Sequence, residues 1–289
     1  MANPVCLSPL KFYDDIAKQS HRKSYAYELI SPLVAKLGWL PSFQFVIPTQ
    51  LFANGVEASE FKIYNAKTDE LVYTIPQEYI QGNFNVLTVE GYKILIHLGH
   101  TKLTDISEGY YYVMIASQNR VWAYYSDVFC FTNVTKDCIE IEYWNETGNF
   151  HLKNGLVVFD NNFKFKLLLR SEIGKPEYSF EEEGTKRLGY NFIESQVSKK
   201  IYKFNVIAPE FICDAMRIIR LCDNKVIRCH DDEYEAISFE MEAEWQTQGD
   251  LASVTCEFET DNVIVNLGGF IPDRLGGDYN DDYNADFDT

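Results

Sequence analysis

The sequence predicts a mainly β protein in two parts: an immunoglobulin-like β-sandwich, then a second β domain carrying one α-helix. Three observations predict it. Aromatic residues make up 15% of the 289-residue chain, and large flat side chains pack well on a pleated surface. Apolar and polar residues alternate in short runs, broken by turn chemistry at roughly 8–12-residue intervals. One stretch near residue 210 carries the best helical spacing of apolar residues.

Residues 1–35 form an N-terminal extension. Its basic cluster, His21, Arg22 and Lys23, suits docking on an acidic neighbouring copy. Residues 36–132 are the predicted sandwich. FQFVIP (43–48) is a short apolar strand, and EFKIYNAKTDELVYTI (60–75) is a hairpin with a polar turn. YKILIHLG (92–99) is a strand, and GYYYVMIASQNRVWAYYSDVFCF (109–131) is a second hairpin. The polar seam TNVTKD (132–137) marks the expected boundary, with the second domain over 133–272.

In that domain NFKFKLLLR (162–170) alternates Phe163, Phe165, Leu167 and Leu169 with charged residues, and IYKFNVI (201–207) sets Tyr202, Phe204 and Val206 on one face. A helix is expected over 209–222. Pro209 suits its first turn, Glu210 suits the positive end of its dipole, and Phe211, Ala215, Ile218 and Cys222 make the apolar stripe. KVIRC (225–229) resumes as strand. SFEMEAEW (238–245) and LASVTCEFE (251–259) then form a hairpin across a five-residue loop. That loop length sets Phe239 near Phe258, Met241 near Cys256 and Glu240 near Glu257. The remainder, 273–289, is an acidic tail whose composition predicts disorder.

Charge and cysteines narrow the function classes. A formal net charge of −17 repels phosphate backbones, so specific nucleic-acid binding is not expected, although DNA passing an acidic surface is compatible with it. Seven widely spaced cysteines inside apolar patterns read as reduced, buried thiols. The N-terminus lacks a signal-peptide pattern, and no apolar run reaches the ~18 residues of a membrane helix. Synthesis in a cytoplasm without membrane anchoring is expected.

No catalytic, cofactor-binding or metal-binding residue is assigned. The alternating Asp and Asn of the tail fail the calcium-loop pattern, because Tyr283 and Thr289 stand where Gly and Glu are needed. His97 and His100 differ by three positions, which on a strand sends them to opposite faces. Neither a GxSxG elbow nor a phosphate-binding glycine loop occurs. The paired carboxylates Glu140 and Glu142, and the run Glu181–Glu183, read as exposed strand faces.

Two surfaces stand out instead. Glu240, Glu242 and Glu244, with Glu257 and Glu259 on the partner strand, collect like charge on one sheet face. Like charges placed opposite one another are mildly destabilising, so such a face must meet water, a basic partner or a lumen. The second is aromatic: the run from Tyr110 to Tyr125 contains a candidate glycan-stacking set, Tyr111, Trp122 and Tyr124, although alternation sends about half of such residues into the core.

The stretches LSPLKFYDDIAKQSHRKSYAY (7–27) and YKFNVIAPEFICDAMRIIRLCDNKVI followed by EWQTQGDLASVTCEFETD (202–261) resemble tail proteins of phages and prophages of gut anaerobes, of the distal-tail or tail-ring type. The strand, helix, strand, hairpin order is similar to tail-tube domains. The resemblance implies a structural virion protein, not an enzyme. It implies a ring, tail-tip or baseplate subunit, a homo-oligomer of six or more copies around a DNA passage, in contact with other tail proteins. The acidic face would then line or border the passage, with the sandwich outside. A carbohydrate-binding adhesin of the tail is the alternative. The implied location is the virion tail, after synthesis in the host cytoplasm.

Overall fold

The computed structural model describes residues 9–19, 33–48, 58–76, 84–89, 92–97, 102–117, 122–133, 137–146, 149–152, 155–158, 163–187, 189–245 and 251–266. The predicted basic cluster at His21, Arg22 and Lys23 lies outside them, as does the acidic tail. The fold is mainly β. Its strands run in chain order as β1 (Phe12–Tyr13), β2 (Val34–Lys36), β3 (Phe43–Pro48), β4 (Ala58–Asn65), β5 (Leu71–Thr74), β6 (Phe84–Val89) and β7 (Tyr92–His97). They continue as β8 (Gly109–Ser117), β9 (Ala123–Ser126), β10 (Phe129–Thr132), β11 (Cys138–Trp144), β12 (Asn149–Leu152), β13 (Gly155–Val158) and β14 (Phe165–Arg170). The last set is β15 (Glu177–Arg187), β16 (Tyr190–Pro209), helix α1 (Glu210–Ile219), β17 (Asn224–Cys229), β18 (Asp232–Glu235), β19 (Ser238–Trp245) and β20 (Leu251–Asn266).

The largest sheet has 11 strands along the path β1-β9-β8-β10-β2-β14-β11-β17-β18, with β4 on the other edge of β8 and β5 beyond β4. The expected boundary near residue 132 falls between β10 and β11, two strands of this one sheet. Between them lie β2, parallel to β10 and antiparallel to β14, and β14, which pairs with β11. Three residues of the expected N-terminal extension and its border thus tie the two regions into one hydrogen-bonded surface. The three-stranded sheet β3-β7-β6 packs on it as a second layer. Phe45 meets Tyr124 at 4.8 Å between ring centroids, and Phe12 lies 5.0 Å from Phe43 and 5.1 Å from Phe45.

The hairpin predicted over 109–131 has a divided return strand. β9 and β10 pair in succession with β8, and the chain steps out of register between them. The Ser126 hydroxyl supports the step: it accepts from the Val113 amide at 2.8 Å and donates to the Asp127 carbonyl at 2.8 Å. Gln19 donates its side-chain amide to the Ser126 carbonyl at 2.6 Å. A buried backbone interruption needs such partners, because unpaired polar groups there are costly.

The other large sheet is four-stranded and antiparallel, in the order β15-β16-β20-β19. Helix α1 covers one of its faces. Phe204, Phe239, Val254, Cys256 and Phe258 from the sheet are buried there with Phe211, Ile212, Ala215, Met216 and Ile219 of the helix. Contact is direct where the Cys256 thiol meets the Met216 sulfur at 3.9 Å. Tyr234 of β18 closes the far side of this layer, 4.8 Å from Tyr202 and 5.8 Å from Phe258.

The helix is shorter than the expected 209–222. Pro209 ends β16 in extended conformation as the N-cap, and the amides of Leu221 and Cys222 turn back to the carbonyls of Ile218 and Ile219. Such tightening satisfies carbonyls that a helix end leaves without partners. Six of the cysteines are described, all buried and unbridged. Burial pushes the thiols of Cys222 and Cys256 up to about 12 and that of Cys213 up to about 11, which keeps them protonated and unreactive at neutral pH.

Candidate acidic interaction face

The face of the four-stranded sheet opposite α1 is built by strand alternation alone. In β19 the odd positions Phe239, Met241 and Ala243 point toward the helix, so Glu240, Glu242 and Glu244 point away. The register with β20 is the expected one: Phe239 opposite Phe258, Met241 opposite Cys256 and Glu240 opposite Glu257. The first four predicted carboxylates in the order Glu240, Glu242, Glu244 and Glu257 therefore share a face. Glu259 joins it opposite Ser238.

Local pattern did not reveal the third column. Strand β16 lies on the other side of β20, and Lys203 stands opposite Glu257. Its ammonium pairs with Glu177 of β15 at 2.7 Å and with Glu257 at 3.3 Å. The hydrogen bond to Glu177, and then that to Glu257, raises the Lys203 pKa above the ordinary lysine value. One cation thereby links carboxylates from two strands. Further along the same face Lys199 holds Glu181 at 2.8 Å, and this hydrogen bond raises the pKa of Lys199 as well. Asn205 accepts from the Thr255 hydroxyl at 2.9 Å in the next row.

At the outer edge the compensation thins. Arg220, just past α1, reaches Glu240 at 3.4 Å around the edge strand. Among the described residues no cation lies within ion-pair distance of Glu242 or Glu244. Both are exposed, and so is Trp245 beyond them at 49%. The face thus grades from a neutralised centre to an uncompensated acidic rim.

A second charged cluster sits on the outer side of β14, β11 and β17. Glu142 was expected on an exposed face and is buried instead. Lys164 and Lys166 close over it at 3.1 and 3.0 Å, with Arg228 at 3.8 Å. Burial pushes the Glu142 carboxyl up, but the hydrogen bonds from Lys166 and Lys164 outweigh it and hold the group below the usual carboxylate range. Lys164 also lies 3.7 Å above the Trp144 ring. Arg228 bridges Glu140 at 3.0 Å and Glu233 at 2.6 Å. Four strands, β14, β11, β17 and β18, are clamped by this network.

The predicted glycan-stacking set is corrected by burial. Tyr111, Trp122 and Tyr124 keep 2%, 7% and 8% of their surface and belong to the main core. The alternation that predicts half the run inward places these three in that half. Their strand neighbours Tyr110, Tyr112 and Tyr125 turn to the other side, where Tyr64 stacks on Tyr112 with centroids 5.3 Å apart. His97 is a core residue whose Nδ1 lies 2.9 Å from the Pro41 carbonyl. Among the described residues no group of three His, Cys, Asp or Glu side chains is arranged to hold a metal ion, and no helix is long and apolar enough to cross a membrane.

No protein-family model matches the chain, and no curated protein matches it.

Proposed function

We propose that the chain is a structural subunit of a phage tail, assembling as a homo-oligomeric ring around a DNA passage. One observation carries the reading. Helix α1 packs on one face of the four-stranded sheet, against β16, β20 and β19, and the opposite face bears Glu240, Glu242, Glu244, Glu257 and Glu259. A sheet of this kind suits a lumen wall. Its negative potential repels the phosphates of passing DNA and prevents it from adhering. Lys203 and Lys199 moderate that potential at the centre, so the wall does not tear itself apart by like-charge repulsion. In this reading the two-layered region around β3, β7 and β8 is immunoglobulin-like and stands on the outside. Native mass spectrometry and electron microscopy of the purified protein test the ring. Closed particles of six or more copies, with the acidic face inward, are the expected result. A chain that stays monomeric when concentrated, and that is absent from purified virions, removes the reading.

The half-buried tyrosines Tyr64, Tyr110 and Tyr125 on the outer face of the first sheet favour a second reading, carbohydrate contact by a tail adhesin. Glycan-array binding that is lost in Tyr110→Ala would support it, and a flat array would dismiss it.

A further inference from the structure

β15 is one of the two edge strands of the four-stranded sheet, and among the described residues nothing pairs with its outer edge. An open strand edge is a template for another strand, and proteins ordinarily protect it with scattered charge. The charges of β15 are sorted instead. Glu181, Glu182 and Glu183 precede Gly184, while Lys186 and Arg187 follow it. The glutamates have partners on the inner side: Lys199 for Glu181 at 2.8 Å, Gln196 for Glu182 at 2.9 Å and Ser195 for Glu183 at 3.5 Å. No carboxylate among the described residues pairs with Lys186. Tyr178 and Phe180 leave 63% and 72% of their surface in solvent on one side of the strand.

We infer that two copies of the chain pair through this edge, antiparallel and centred on Gly184, merging their four-stranded sheets across a two-fold axis. In that register Glu181 stands opposite the second copy's Arg187, Glu182 opposite its Lys186, and Glu183 opposite its Thr185. Residues directly opposite in an antiparallel ladder share a face, so the Glu182–Lys186 ion pair forms twice across the axis, both times on the same side of the merged sheet. Phe180 falls diagonal to the second copy's Lys186, within reach of a long side chain. Gly184 meets its own copy at the axis, where the absence of side chains permits close approach. Other occupants fit less well. An acidic strand faces the three glutamates, a basic one faces Lys186, and a neutral one leaves Lys186 without a carboxylate. A contact in which the same patch serves both subunits is the commonest symmetric form. It does not rest on the tail reading, because a ring closes through unlike surfaces.

Sedimentation velocity on the full chain across a range of concentrations tests the inference. The wild type is expected to show a reversible dimer. Lys186→Glu and Glu182→Lys, each acting twice across the axis, are expected to weaken it about tenfold or more. The double variant carrying both changes is expected to recover it, which a merely misfolded protein would not do. Gly184→Cys is expected to form a disulfide-linked dimer under mild oxidation that the wild type, with its own cysteines, does not form. A wild type monomeric at every concentration overturns the inference. So does a dimer indifferent to both single charge reversals, or a double variant no better than the singles. Persistence of larger closed particles in Lys186→Glu would leave the ring intact while removing the dimer from it.

Discussion

Lys203 and Glu257 face each other across the β16–β20 ladder, and the same ammonium reaches Glu177 on the far side. This places a cation in the middle of a face that its edge hairpin makes acidic. Replacing Lys203 with Met should therefore lower the melting temperature more in dilute buffer than in about 1 M salt, where a short Debye length screens the repulsion it leaves behind. Thermal denaturation at the two ionic strengths checks this. An equal loss in both would show that Lys203 acts by packing.

Glu142 should make the fold acid-sensitive. Its folded pKa lies below the unfolded value, so its stabilising contribution is complete above the unfolded value of about 4.3 and is lost as the pH falls through the folded one. Glu142→Gln should cost about 2 kcal/mol at neutral pH, because Lys164 and Lys166 lose the carboxylate they enclose. The variant should also show a flatter stability profile below pH 5. Urea titrations over that range make the comparison.

Lys225 points the opposite way. It is buried at 6% exposure, and among the described residues no carboxylate lies within ion-pair distance of it. Desolvation lowers its pKa, with Cys222 and Asp223 opposing. The unfolded chain then holds the proton more tightly than the folded one, so stability rises with pH from the folded value up to the ordinary lysine value. Lys225→Met removes the cost of burying that charge and should raise stability at neutral pH by about 1 kcal/mol. A melting temperature lowered by the change would contradict this account of the site.

The two sides of β8 and β9 should respond differently to truncation. Tyr124→Ala opens a hole between the two sheets and should cost about 3–5 kcal/mol, whereas Tyr110→Ala on the outer side should cost about 1 kcal/mol or less. Chemical denaturation of the pair measures the difference. Similar losses would place the core on the wrong side of the strand.

Much of the C-terminal unit was legible from local pattern. A five-residue loop and strict alternation set the β19–β20 register residue by residue, and the stripe from Phe211 through Ile218 located the helix. The long pair β15 and β16 was not foreseen over 177–200, because the described residues of β15 remain largely exposed on both faces and the stretch shows no apolar period. Nor was Lys203 expected among the carboxylates. Its partners Glu177 and Glu257 lie 26 and 54 residues away, beyond the reach of any periodicity.

The sequence by itself determined that this is a mainly β chain, where three of its hairpins turn, and which residues alternate on the strands that carry an apolar period. Those properties follow from the two-residue repeat of the backbone, which acts within a few residues. Tertiary structure decided which parity faces inward: it sent Tyr111, Trp122 and Tyr124 to the core and Tyr110 and Tyr125 outward. It also decided that β2 would splice the two halves into one sheet, and that the acidic face would carry its own lysines. Each of these depends on pairing between strands distant in sequence, where the free energy comes from surfaces that meet only once the chain is folded.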